Sequence, residues 1–297
     1  MNSKVRQIVF PTLAALIWGT AFVAQSVSTD HVGPFTFNAA RSIIAFFVLW
    51  AVAAVFKRVK LKQGEPEVQG TRRELIIGGV CCGVVLAVAA NFQQAGLADT
   101  APGKAGFITA LYVVLVPVLG IFLRRRASLP VWLGAVLAVA GLYLLCIKEG
   151  FGIEAGDLLV LCCAFVFALH IMVVDHFVQR VDGVLLSCVQ FLTAGVVSLV
   201  LALCFETIDL AGLWKCILPI LYVGVFSSGV AYTLQILAQK DSDPTVVSIL
   251  LSLESVFSVL AGAIILGDKL SGREYIGCVL MFAAVILAQM PWPVKRK

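Results

Sequence analysis

The sequence predicts an all-α membrane protein: ten transmembrane helices forming two inverted five-helix repeats, residues 8–147 and 154–290. Three observations predict it. Of 297 residues 61% are hydrophobic and 13% charged, with a mean hydropathy of +1.01, too little polar surface to cover a water-soluble globule. The apolar residues fall into ten blocks, near 8–27, 35–56, 75–97, 104–123, 129–147, 157–178, 184–205, 216–238, 244–266 and 274–290. At about 1.5 Å per residue, blocks of this size cross a hydrocarbon core of about 30 Å as helices, and none shows the alternation of a membrane strand. Finally, the chain resembles itself. An offset of 143 pairs Val116 with Val259, Leu123 with Leu266, Gly134 with Gly277 and Leu144 with Leu287; an offset of 149 pairs Ala15 with Ala164, Trp18 with Phe167, Arg41 with Gln190 and Ala45 with Ala194. Five crossings per copy is odd, so the second copy enters the membrane upside down, the plan of many secondary transporters.

The first block follows MNSKVRQ and has the look of a secretory signal, but its length and the internal Trp18 and Gly19 favour a retained span. Trp18 is a candidate aromatic wall or ordinary packing. The second block carries Arg41 about a turn and a half from its start, where it either binds a substrate carboxylate by a bidentate pair or holds helix carbonyls. In the third, Gly78, Gly79 and Gly83 suit close helix contact, and Asn91, Gln93 and Gln94 share the depth of Arg41, within reach of it. Tyr112 and Pro117 lie in the fourth; the proline removes a backbone hydrogen bond and is expected to bend or break the helix. Gly134 and Ala138 mark the fifth as a close-packing helix.

The sixth block holds His170 near its middle, a packing residue or a proton relay, with Asp175 and His176 nearer its end. Gln190 in the seventh and Gln235 in the eighth stand at matching depth on the opposite side, where a closing gate could use them. The ninth starts at Asp243 and Pro244, an N-cap and first-turn pair, and Glu254 follows about 15 Å further in. Ser248, Ser252, Ser255, Ser258 and Gly262 share one arc with Glu254 at its edge, which predicts a wet face. An ionisable side chain at that depth costs several kcal/mol without water or a partner. Glu254 therefore either binds a proton or opposes a substrate ammonium in a cavity, or is satisfied by neighbouring serines and backbone.

All nine cysteines fall in or beside spans; adjacent ones such as Cys162 and Cys163 point about 100° apart, which suits packing better than a shared metal. With the N-terminus inside, 16 Lys and Arg lie on the inner side, five on the outer and Arg41 within a span, so both termini are expected in the cytoplasm. The +5 net charge then reports topology and anionic lipid, not nucleic acid.

WGTAFVAQ at 18–25, GPFTFNAAR at 33–41, GFITALYVVLVPVLGIFLRRR at 106–126 and LGAVLAVAGLYLL at 133–145 resemble the first repeat of the drug/metabolite transporter superfamily, EamA type. GD at 156–157, SLESVFSVLAGAIILGDKLS at 252–271 and IGCVLMFAAVIL at 276–287 resemble the second. The resemblance implies a ten-helix carrier of small metabolites, often amino acids or related compounds. Where that family usually has proline after the glutamate, Ser255 stands here, which puts a kink at that point in question.

The expected function is export of an amino-acid-like metabolite across the cell membrane by alternating access, with proton coupling a further expectation and no cofactor, metal or nucleic acid involved. Glu254, Arg41, Tyr112, His170, Trp18, Asn91, Gln94, Gln190, Gln235 and Ser255 are the candidate cavity residues. The alternatives are a signalling or assembly protein and an intramembrane enzyme built on His170, Asp175 and Glu254. No HExxH, GxSxG or paired-aspartate spacing supports the enzyme, and the chain has no GxxxxGK[ST] stretch for a nucleotide-driven pump.

Overall fold

A computed structural model of the protein describes residues 3–63, 70–100, 102–124, 127–146, 154–240, 242–265 and 271–290. Several charges that bear on orientation, among them Arg125, Arg126 and Lys295 to Lys297, lie outside the described residues. The described residues contain helices and no strand. In chain order these are α1 (Ser3–Ser28), α2 (Pro34–Gln63), α3 (Arg72–Gly96), α4 (Pro102–Ala110), α5 (Tyr112–Phe122), α6 (Leu129–Cys146), α7 (Ala155–Val178), α8 (Gly183–Phe205), α9 (Leu210–Lys215), α10 (Ile217–Tyr222), a π-helix (Val223–Ala231), α11 (Tyr232–Gln239), α12 (Pro244–Leu251), α13 (Glu254–Ile265) and α14 (Gly272–Ala288).

Seven helical runs are long and apolar enough to cross a membrane: 6–28, 34–55, 72–96, 104–122, 155–178, 183–205 and 217–239, with shorter apolar runs at 129–145 and 244–260. Large apolar side chains such as Trp50, Phe122, Leu203 and Val279 point outward, while polar side chains such as Asn91, Gln190 and Gln235 are buried. That distribution belongs to a multi-pass membrane protein, whose outer face meets lipid.

Local chemistry sets the helix starts. Thr71 with Glu74, and Ser271 with Glu274, form reciprocal capping boxes; Asp182 accepts from Val184 and Leu185 N–H, and Asp243 from Thr245 N–H with Pro244 in the first turn. Helix α2 runs to Gln63, past the point where charge accumulates, since Lys and Arg continue a helix into water.

Packing joins the two halves of the chain. The main contacts are α6 with α14, α2 with α8, α3 with α7 and α8, and α1 with α13, the π-helix and α11. Glycines set the closest approaches: a Cβ on Gly134 would meet Ala284 O, and Gly141 and Gly277 each face the other's carbonyl. Likewise Gly83 faces Gln190 O and the Thr193 side chain, and Gly224 faces Arg41 O and the Ile44 side chain.

Helix ends also contact one another. Phe35 N–H, Thr36 N–H and the Thr36 hydroxyl donate to the Glu206 carboxylate, capping α2 from the end of α8. Thr100 and Lys104 bind the Asp157 carboxylate, joining the start of α4 to the start of α7. Gly70 abuts Arg180 O, and Gln179 donates to Gln239 O.

Two apolar runs are interrupted. Between α4 and α5 the turn tightens at Leu111, whose N–H bonds Ile108 O. Pro117, the residue expected to break this run, sits inside α5; the break falls six residues earlier. Between α12 and α13 the chain tightens similarly, with Leu253 N–H to Leu250 O and Ser255 N–H to Ser252 O. No proline is involved. Ser248 and Ser252 instead return their hydroxyls to Thr245 O and Ile249 O three residues back, a bond that bends helices. Of the serine arc expected to form a wet face, Ser248, Ser252 and Ser255 are buried and Ser258 is half-buried. Gly19 of α1 presses on the break, where a Cβ would lie 2.5 Å from Glu254 O.

Candidate functional site

The interrupted run leaves Glu254 as the first residue of α13, its side chain aimed into a cavity of about 480 Å³, open mouth included. Trp18, Phe22 and Gln25 of α1, Arg41 of α2, Gln93 of α3, Thr109 of α4 and Tyr112 of α5 line it, with Phe167 and Ile171 of α7, Ser227 of the π-helix, Tyr232 and Gln235 of α11 and Leu251 of α12.

Two ionisable side chains face this space. The Glu254 carboxylate, 3% exposed, accepts one hydrogen bond, from Tyr112 Oη at 3.2 Å. The Arg41 guanidinium, 4% exposed, donates through Nη1 to Gln25 Oε1 at 3.2 Å and lies 5.9 Å from the Phe37 ring centroid. Its Nε is buried with no partner. Among the described residues neither charge takes part in an ion pair, with the other or with any side chain. Desolvating a charge without a counter-charge costs several kcal/mol.

Further hydrogen bonds in and behind the lining fix its other parts. Gln94 Nε2 donates to Gln25 O at 3.1 Å, fixing the backbone that carries the Arg41 partner, and Gln93 Nε2 donates to Thr109 Oγ1 at 3.3 Å. Trp18 Nε1 donates to Ser227 O at 3.2 Å, and its ring packs on Tyr232 at 4.7 Å between centroids. That carbonyl belongs to the π-helix, where the wider turn loosens the backbone ladder; π segments recur at functional sites.

Of the candidates named from sequence, Trp18, Arg41, Tyr112, Gln235 and Glu254 share this cavity, and Asn91, Gln94, His170, Gln190 and Ser255 lie outside its lining. Asn91 accepts from Asn38 and donates to Ser198 and does not bond Arg41; Gln94 acts one layer back through Gln25. His170 Nε2 bonds Gln190 Oε1 at 2.9 Å, both fully buried, and Ser255 Oγ is buried without a partner. Sequence reasoning missed Gln25, Thr109, Ser227 and Tyr232. The 149-residue offset that pairs Trp18 with Phe167 also pairs Phe22 with Ile171, and all four line the cavity, so that offset held an unread signal for two apolar walls.

Comparison with known proteins agrees with this architecture. The model of the EamA-like transporter family matches residues 6–147 and again 154–290. A protein of Archaeoglobus fulgidus called an uncharacterized transporter is 30% identical over 286 residues, covering 94% of this chain and 84% of its own length. Another so named, from Synechocystis sp., is 23% identical over 312 residues, covering 96% and 90%. A solved crystal structure at 21% identity shares the fold with a TM-score of 0.75, covering 95% of this chain and 96% of the other.

Proposed function

The chain belongs to the EamA-like transporter family, and from that premise we propose that it is a secondary carrier exporting a small amino-acid-like zwitterion across the cell membrane by alternating access. One observation carries the substrate reading: Arg41 and Glu254 line the same cavity, each without a charged partner. A substrate carboxylate meets the Arg41 guanidinium along its free Nε edge, where two parallel N–H bonds fit two oxygens. The substrate ammonium meets Glu254, and the aromatic walls Trp18, Phe22, Phe167 and Tyr232 take the remainder. Without substrate, Glu254 binds a proton, which gives the carrier its coupling ion.

The architecture we assign is ten crossings in two inverted repeats, 8–147 and 154–290, with both termini cytoplasmic. Exchange relations support it. The offset of 143 carries the Gly134–Ala284 contact onto Gly277–Gly141. The offset of 149 carries Gln190 and Thr193, which face Gly83, onto Arg41 and Ile44, which face Gly224. The offset of 143 carries the break at Leu111 onto Glu254, next to the break at Ser252–Leu253, and Glu254 accepts from Tyr112 beside the first break, an arrangement that fits discontinuous helices at a carrier midplane.

The test is counterflow of labelled amino acids into vesicles holding the purified protein. Flux of an unmodified solute is expected, with Arg41→Ala and Glu254→Gln each raising KM roughly 30-fold or more, the scale of a lost desolvated charge pair. Flux unchanged in both variants overturns the zwitterion assignment; a chemically altered solute overturns the carrier.

A further inference from the structure

His170 and Gln190 are buried polar groups outside the cavity lining. They are 0% exposed, yet two of their polar atoms have no partner: His170 Nδ1 and Gln190 Nε2. His170 Nε2 carries the proton given to Gln190 Oε1, so Nδ1 of the neutral ring is an acceptor and Gln190 Nε2 a donor. A buried polar atom left without a partner is destabilising, so each of these two atoms calls for a partner that a ligand or water supplies. The pair lies just behind the cavity wall. The His170 ring stands edge-on to Tyr232 at 6.0 Å between centroids, and Tyr232 and the adjacent Ile171 both line the cavity.

Position gives the pair a meaning. Gln190 is the repeat partner of Arg41, by the 149-residue offset and by the glycine each backbone faces, Gly83 for Gln190 and Gly224 for Arg41. When two inverted copies exchange roles, the environment of Arg41 passes to Gln190. The group that faces the cavity now is then withdrawn, and its counterpart is presented.

We propose that His170 and Gln190 form a second substrate subsite, occluded in the state described above, which receives the zwitterion in the opposite-facing state. The Gln190 amide N–H takes the carboxylate and His170 Nδ1 takes the ammonium. This repeats the donor and acceptor set of Arg41 and Glu254 in uncharged form. Neutral hydrogen bonds are about half as strong as charge-assisted ones, so the substrate is held less tightly on this side. The proposal rests on the alternating-access reading, and the two are tested apart.

With the native cysteines replaced, thiols introduced singly by Arg41→Cys and Gln190→Cys are exposed to a membrane-impermeant methanethiosulfonate in sealed right-side-out and inside-out vesicles. The Arg41→Cys thiol is expected to react at least tenfold faster from one face, and the Gln190→Cys thiol at least tenfold faster from the other. Reaction of both from the same face, or no reaction at position 190 from either, overturns the subsite. This readout needs no substrate. KM is then measured at each face for His170→Ala and Gln190→Ala. A rise of about tenfold at the Gln190 face, with KM at the Arg41 face within twofold, supports the assignment and shows that the variant is folded; equal changes at both faces overturn it. Absence of amino-acid counterflow in the unmodified protein counts against the zwitterion alone, since the thiol reactions still decide whether the buried pair is presented.

Discussion

Arg41 reaches the cavity with one end of its guanidinium held and the other free, and the holder is Gln25. Gln25 is in turn fixed by Gln94, which bonds its backbone carbonyl. This chain of contacts orients a charge without neutralising it, a task that an amide performs and a carboxylate would defeat. Replacing Gln25→Leu removes one charge-assisted bond, worth about 1.5–3 kcal/mol, and is expected to raise KM for a carboxylate-bearing substrate by about 10- to 100-fold with little change in kcat. Gln25→Glu is expected to be worse despite its closer shape, because the new carboxylate would pair with Arg41 and compete with the substrate. Initial-rate measurements on both variants check the order; a Glu variant as active as the parent would show that the Arg41 charge is not used. Arg41 and Glu254 were legible in the sequence because charges inside apolar blocks are rare. Gln25 was not: it sits near the end of its block, where a polar residue ordinarily meets water, yet it is buried, bonded by Arg41 of α2 at its side chain and by Gln94 of α3 at its carbonyl.

At the level of elements, the cavity depends on where helices stop being regular. The break between α12 and α13 turns Glu254 from a mid-helix residue into a first-turn residue, so the dipole of α13 favours negative charge there. Sequence reasoning put this break in question because Ser255 replaces a proline, and put one at Pro117 that the helix absorbs. Serine hydroxyls reaching back to Thr245 O and Ile249 O, together with the pressure of α1 at Gly19, produce the first without proline. Neither cause is local enough to read from spacing: the hydroxyl bond depends on a rotamer and the α1 contact on a residue more than two hundred positions away. The π-helix is equally hidden, as nothing in VGVFSSGVA departs from an ordinary apolar helix. Gly19→Ala tests the contact. Its Cβ would meet Glu254 O at 2.5 Å, Ser258 N at 2.8 Å and Phe257 Cβ at 2.9 Å, mostly backbone that has little room to yield. Overpacking of this kind costs about 1–3 kcal/mol, so a lowered thermal midpoint is expected, with a larger loss of transport than of stability because the displaced residue is Glu254. An alanine variant of parental stability and rate would separate Gly19 from the site.

For the whole molecule, the decisive question is which helix ends share a face. The Gly33–Thr36 turn meets Glu206, and Thr100 and Lys104 meet Asp157, whereas Gly70 meets Arg180 and Gln179 meets Gln239. If every apolar run crosses once, the first two clusters lie on one side of the membrane and the last two on the other, so each observed contact joins ends that belong together. The runs at 129–145 and 244–260 are the short ones, and a run that entered and returned without crossing would flip everything after it. Asp30 and Glu154 are exposed and separated by four proposed crossings, including the short run at 129–145; Arg180, also exposed, is one crossing further. Single thiols placed at Asp30, Glu154 and Arg180 in a background free of native cysteine are therefore expected to react with an impermeant maleimide from outside, outside and inside, respectively. Opposite labelling of the first two would mean an odd number of crossings between them, which breaks the proposed five-per-half plan and with it the proposed exchange of roles between the halves. The expected labelling of all three would also fix the Lys and Arg excess on the cytoplasmic side, where the end of α2 (Lys57, Arg58, Lys60 and Lys62) and the start of α3 (Arg72 and Arg73) carry most of it.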